Sequence, residues 1–394
     1  MNASRFFLAV VSLLLAAAPA VTQAATPAAA PAPAVKAAPD PTAATRRAVR
    51  TVPLPTKAGP EPTPIQPTTA AIRDRNARLQ IFLDRQQFGP GKIDGSWGLF
   101  AREAWKRYQQ SKEQPAVDPV AMMPAEVATF EPLYTTYTVT TADATLVGEI
   151  AGTLAEKAKL KMLPYTSLGA MVSERFHCSP EFLNRINPGL SVNKLKVGTT
   201  LNVPNVEPFD LLAIRAERHR LDALAAERKK QSPVALASNS SGPVPVPVPP
   251  PGEQPLTTAE RYNLRVSTVD KLVEIREGTR LVASFPVTPG SETLPTPKGS
   301  WVIRSKVFFP EFRWDEAMLN TGKRSDQFHL LPPGPNNPVG VMWMGLSKDG
   351  IGLHGTNNPN TIGRAASHGC IRLANWDAVR VAAFVEKGTH VLIE

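Results

Sequence analysis

The sequence predicts a multidomain α+β protein, and three observations carry that prediction. Two stretches rich in proline, residues 25–67 and 232–258, divide the 394-residue chain. Between them the apolar residues recur at helical spacing, whereas from Tyr262 onward they alternate as in strands. The length suits two or three small domains, and 40 prolines imply that part of the chain is not compact.

In order along the chain, "MNASRFFLAVVSLLLAAAPAVTQAA" places one early positive charge, Arg5, before an apolar run. Small residues follow, suited to cleavage after Ala20 or Ala24. This is the layout of a secretory signal over residues 1–24, and the run is shorter than the ~20 residues that span a bilayer. Export to the periplasm or cell wall is expected, with no stable membrane insertion after cleavage; an uncleaved anchor is the alternative. Residues 25–67 and 232–258 lack the aromatic content to offset ordering entropy. The first is expected to be an extended tether and the second, with its Val-Pro alternation, a semi-rigid spacer. Such a spacer would let the C-terminal domain sweep nearby substrate.

The net charge of +10 is spread among acidic residues instead of clustering with aromatics, so no nucleic-acid partner is expected. An anionic envelope polymer suits an exported basic protein, although simple solubility explains the charge equally well. Cys178 and Cys370 fall in different predicted domains, which argues against a disulfide.

Residues 68–115 read as a helix, a Gly-rich loop and a second helix. Ile72, Leu79, Phe82 and Leu83 share one face, and Phe100, Ala104 and Tyr108 share another. "LQIFLDR" and "FGPGKIDGSWG" resemble the helical peptidoglycan-binding domain of wall hydrolases; a plain helical hairpin packed on its neighbours is the other reading. Residues 134–206, with a core at 162–205, read as two helices and a closing strand. Ser179-Pro180 supplies a cap and a first-turn proline, and Asn187-Pro188-Gly189 a stop. "YTSL", "NPG", "LKVG" and "LNVP" resemble a LysM βααβ module, which implies binding to the N-acetylglucosamine backbone of glycan strands. The residues upstream of that core are expected to enlarge its first strand. Residues 207–231 read as a connecting helix with Leu211, Ile214, Leu221 and Leu224 on one stripe.

The C-terminal domain, residues 259–394, has alternating strands with turns at Glu277-Gly278 and Asp349-Gly350, the latter a strong hairpin signal. Residues 374–384 show helical spacing before Gly388 and a last strand. The aromatic segment 308–340 reads as a long loop, a candidate lid.

"IGLHGTNNPNTIGRAASHGCIRLANWD" gathers two of the six histidines and one of the two cysteines among glycines. A cysteine attacks as thiolate, and a nearby imidazole supplies that form by taking the proton. The Gly-, Asn- and Pro-rich stretch between His354 and Cys370 permits the reversal that would join them. Gly369 lets backbone N–H groups approach a developing oxyanion. A zinc site on His354, His368 and Cys370 lacks a fourth ligand at ordinary spacing. A buried free thiol between structural histidines is the remaining alternative. No metal or cofactor is called for.

"HGTNNPNTIGRAASHGCIRL" and "TPKGSW" resemble the YkuD-like L,D-transpeptidases over residues 262–394. The resemblance implies a β-sandwich-like mixed sheet with a helix, and crosslinking of peptidoglycan stem peptides through an acyl-cysteine. It makes Cys370 the nucleophile that expels D-alanine and His354 the general base. The Gly355 carbonyl would orient His354, His368 would line the site, and the Gly369 N–H would help hold the oxyanion. Arg372 would grip a stem carboxylate, a surface salt bridge being its alternative, and Ser367 and Thr356 would line the substrate. Other outcomes compatible with the same domain are an L,D-carboxypeptidase, an enzyme attaching a protein to the wall, and a non-catalytic wall-binding adaptor.

Overall fold

The computed structural model describes residues 69–150, 152–231, 256–364 and 367–394. The signal segment, the 25–67 tether and most of the 232–258 spacer lie outside them. Helices Thr69–Arg85 and Leu99–Ser111 bury Leu79, Phe82, Leu83, Trp105 and Tyr108 in one cluster. The Gly-rich loop between them is shaped by one buried side chain. Gln80 donates to the Lys92 and Ser96 carbonyls and accepts from the N–H groups of Asp94 and Gly95.

Next come β1 (Tyr134–Thr138), helices Leu168–Arg175 and Pro180–Ile186, and β2 (Thr200–Pro204), which pairs antiparallel with β1. Ser167 and Ser179 cap the two helices, and Pro180 opens the second. The first strand is not enlarged as the sequence suggests. Thr140 and Thr153 form capping boxes that start the one-turn helices Thr141–Ala144 and Leu154–Lys157, so the extra residues become an insertion after β1.

The C-terminal domain contributes β3 (Tyr262–Ser267), β4 (Leu272–Glu277), β5 (Arg280–Pro286), β6 (Gly299–Phe308), β7 (Phe312–Trp314), β8 (His329–Leu331), β9 (Met342–Leu346), β10 (Gly352–His354), β11 (Ile371–Arg372) and β12 (His390–Ile393). Eight of these form one mixed sheet in the order β11-β10-β9-β6-β12-β3-β4-β5. β12–β3 and β10–β11 run parallel, and the other neighbours antiparallel. A register irregularity between Ile303 and Ser305 bends β6. Just past β5, Thr288 exchanges two backbone hydrogen bonds of 2.9 Å with Arg372 of β11, so the two ends of the sheet meet. The expected β-sandwich-like sheet is therefore a single curled mixed sheet, wrapped around Leu264, Ile275, Phe285, Met344, Leu353 and Val381. Helix Asn375–Ala383 packs beside β9 and β10.

Residues 308–340 are not the irregular loop the sequence suggests. β7 and β8 pair antiparallel around helix Glu316–Thr321. Asp315 holds this arm together by accepting from the N–H groups of Met318 and Ser325 and from Arg313.

The described modules are docked to one another, which corrects the expectation of a freely sweeping catalytic domain. Arg107 of the helical hairpin binds Glu274 at 2.6 Å and Asp270 at 3.0 Å. Residues 87–89 cover the edge of β5, with Gly89 N–H on the Ser284 carbonyl at 2.8 Å. Leu163 of the insertion donates its N–H to the Pro333 carbonyl at 2.9 Å. One apolar cluster includes Ala77 and Ile81, Phe176 and Phe182, and Val341 and Trp376, residues of all three modules. Shared burial of this kind ties the modules together in a way a proline-rich spacer alone does not reveal. Among the described residues, no helix is long and apolar enough to cross a membrane.

Candidate active site

The Asp349-Gly350 turn returns the chain from β9 to β10 and sets His354 opposite Trp343. The two rings stack with centroids 5.5 Å apart and planes within 19°. His354 is buried, and its Nδ1 lies 2.6 Å from the Gly355 carbonyl. A carbonyl can only accept, so Nδ1 carries the proton and Nε2 is left with its lone pair. Burial pushes the imidazole pKa down to about 4, the Gly355 carbonyl opposing and the Arg372 cation reinforcing that shift. His354 is therefore a neutral proton acceptor at neutral pH.

Cys370 immediately precedes β11, whose Arg372 pairs with His354 across the parallel ladder. Residues paired across a ladder share a face, so Arg372 projects toward the same face as His354, and Cys370 lies two residues before it. The backbone reaches this point through Gly369 at φ +99, a conformation that side-chain-bearing residues rarely adopt. Both cysteines are free. The Cys370 thiol lies 3.4 Å from the Gly350 carbonyl and donates to it, a contact a thiolate would lose. Burial raises its pKa, against the Gly352 N–H and the Arg372 cation, which lower it. Burial of both groups thus favours the neutral thiol and imidazole over a resting thiolate. Desolvation disfavours the ion pair that a more open site would stabilise.

Other expected site residues are placed differently. Ser367 is buried, and its hydroxyl donates to the Cys370 carbonyl, while its own N–H binds the Pro289 carbonyl at 3.0 Å. These bonds hold the loop before Cys370 in shape. Thr356 is also buried, its hydroxyl accepting from Asn358 N–H at 3.2 Å. His368 is exposed, with its pKa lowered by partial desolvation and by Arg372. Arg372 is half-buried and acts electrostatically on His354, His368 and Cys370 alike. Among the described residues no three His, Cys, Asp or Glu side chains are grouped as a metal would require.

Two contributors escaped sequence reasoning. Trp343 was missed because counting outward from Asp349-Gly350 points to Gly345, whereas the loop spans four residues and shifts the register by two. Asn375 was missed because nothing in its spacing links it to Gly355. Its Oδ1 accepts from Val341 N–H at 3.2 Å and packs so tightly that a Cβ on Gly355 would lie 2.2 Å away.

Residues 261–393 match the family described as the L,D-transpeptidase catalytic domain, YkuD. The C-terminal part of this chain is a YkuD L,D-transpeptidase catalytic domain. The putative L,D-transpeptidase YkuD of Bacillus licheniformis is 34% identical over 132 residues, covering 34% of this chain and 65% of that protein. Its Bacillus subtilis counterpart is 32% identical over the same shares. This chain thus spans 65% of the length of both relatives. An L,D-transpeptidase structure from Mycobacterium smegmatis aligns at 17% identity, covering 34% of this chain and 58% of that one, with a TM-score of 0.28. The YkuD domain contains every residue of the His354–Cys370 site described above.

Proposed function

We propose that the protein is an exported peptidoglycan L,D-transpeptidase that joins third-position residues of stem peptides through an acyl-cysteine at Cys370. The observation that carries this reading is the neutral His354 ring, fixed through Nδ1 on Gly355 with Nε2 left to accept, on a strand paired with the one that Cys370 immediately precedes. Substrate displaces the thiol from the Gly350 carbonyl. The thiol proton passes to Nε2 as sulfur attacks the third-residue carbonyl of a tetrapeptide stem. The N–H groups of Gly369 and Cys370 face the oxyanion, an interaction worth about 3 kcal/mol per donor. Collapse breaks the amide bond, and D-alanine leaves with the proton returned by His354. A stem amine then attacks the thioester, gives its proton to Nε2, and releases the crosslinked product with the thiol restored.

Arg372 supplies positive charge beside the sulfur, which favours its developing negative charge, and its planar fork suits a stem carboxylate. The upstream modules, on their peptidoglycan-binding-like and LysM-like motifs, hold the enzyme on glycan strands and raise the local concentration of stems. The test is incubation of purified protein with a defined tetrapeptide stem. Expected are D-alanine release, a Cys370 adduct by mass and a dimer linked between third residues, all lost in Cys370→Ala. Trimmed tripeptide without dimer would instead make the enzyme a carboxypeptidase.

A further inference from the structure

We propose that Glu174, on the Leu168–Arg175 helix of the upstream module, is a positioning residue for His354, acting through Asn375. Glu174 is buried, with one carboxylate oxygen accepting from Asn375 Nδ2 at 2.9 Å and the other from the Tyr165 hydroxyl at 2.5 Å. Asn375 is fully buried on the catalytic domain and also directs Nδ2 toward the Pro335 carbonyl at 3.5 Å. A side-chain amide has a donor end and an acceptor end, and both ends are spoken for. Because a carboxylate oxygen accepts, Nδ2 must face Glu174, and Oδ1 must face Val341 N–H at 3.2 Å.

That orientation matters because Oδ1 rests on the peptide segments around the imidazole. A Cβ on Gly340 would sit 2.0 Å from it, and one on Gly355 2.2 Å. The Gly355 carbonyl is the group that holds the Nδ1 proton of His354. Gly355 N–H in turn binds the Met342 carbonyl at 3.1 Å. A rotated amide would place NH2 against Val341 N–H, two donors facing one another, and the Gly340 and Gly355 segments would shift to relieve it. Burial pushes the Glu174 pKa up to about 7, and in either protonation state an oxygen remains to accept from Asn375. The upstream module thereby reaches the catalytic imidazole without touching substrate.

The inference rests on the transpeptidase reading for its rate measurement, and a second readout needs no turnover. Nitrogen NMR of the His354 ring in the full chain reports the tautomer directly. Glu174→Leu is expected to mix the tautomers and to lower kcat for D-alanine release about tenfold or more, with KM within about twofold. Glu174→Gln, whose amide oxygen still accepts from Asn375, is expected to keep the Nδ1–H tautomer and a kcat within about threefold of the parent. Tyr165→Phe is expected to lower Tm while leaving tautomer and kcat in place. If Glu174→Leu does not fold, Asn375→Ser, which shortens the amide without adding bulk, takes its place under the same criteria. An unchanged His354 spectrum and kcat in the disrupted variant, or an equal loss in Glu174→Gln, overturns the proposal. A parent chain that releases no D-alanine overturns the transpeptidase reading instead, and the ring resonances still decide the positioning role.

Discussion

Asp84 and Arg380, 296 positions apart in the chain, meet through two hydrogen bonds of 2.6 and 3.0 Å in the interior. His177 adds its Nδ1 to Asp84 at 3.1 Å and stacks on Trp376, so the helical hairpin, the upstream module and the catalytic domain converge on one carboxylate. Removing one member of a buried pair strands the other charge, at a cost of about 3–5 kcal/mol. Arg380→Leu is therefore expected to lower unfolding stability by about that amount in urea titration. Combining it with Asp84→Leu should recover much of the loss, because no unpaired charge then remains. A double variant as unstable as the sum of the singles would contradict the account.

The neutral thiol–imidazole pair predicts a particular pH dependence. kcat/KM for D-alanine release should hold from neutral pH down to a single acid limb near the His354 value of about 4. Cys370 should react with iodoacetamide increasingly as pH rises through the ordinary thiol value of about 8.5 and beyond. A plateau in alkylation across neutral pH would mean a preformed thiolate and would remove this description of the site.

The buried histidines and the buried Asp377 contribute to the pH dependence of stability with opposite signs. His354 and His177 are bases whose folded pKa values are depressed by burial, so the folded state binds fewer protons than the unfolded one. Their contribution is complete above about pH 6.5 and is lost as pH falls toward the folded values. Asp377 is an acid raised to about 8 by burial, with Arg380 at 3.7 Å opposing that shift and, among the described residues, no hydrogen-bond partner for either carboxylate oxygen. Here the folded state keeps a proton the unfolded state releases, so stability is full below about pH 4 and declines as pH rises to about 8. Asp377→Asn should consequently raise Tm relative to the parent more at pH 8 than at pH 5. An equal difference at both pH values would show that Asp377 does not titrate in this way.

The hairpin that carries His354 and the glycine before Cys370 were legible because they are written locally. The Asp349-Gly350 turn marks the hairpin that carries His354, although its four-residue loop shifts the register by two, and Gly369 before Cys370 has a backbone that only glycine adopts readily. The partners that the Ser367 and Thr356 hydroxyls take up within their own loop were not legible, because proximity in sequence to Cys370 and His354 does not encode them. The curl of the sheet depends on Thr288 meeting Arg372, a pairing that no periodicity encodes. Docking was equally hidden. Trp105 and Tyr108 form the same helical stripe whether they face only their hairpin or also a neighbour such as Leu281 of β5.

The loop between His354 and Cys370 is braced by the helical hairpin, and Gly363 gives the means to test it. Gly363 sits at φ +69, donates its N–H to Thr288 Oγ1 at 2.6 Å, and accepts from Lys271 Nζ at 2.8 Å. Phe100 of the hairpin closes over it so tightly that a Cβ would lie 2.0 Å from the ring. Lys92 reaches Asn360 in the same loop. Gly363→Ala adds both a clash and a left-handed strain of about 1–3 kcal/mol, and the loop must shift to accommodate them. Its kcat/KM for D-alanine release is expected to fall about tenfold. Phe100→Ala alone should cost Tm with little change in rate, and adding it to Gly363→Ala should restore more than half of the lost rate by freeing the space. The residual deficit measures the backbone strain. If the double variant is no faster than Gly363→Ala, contact with the hairpin does not set the shape of the active-site loop.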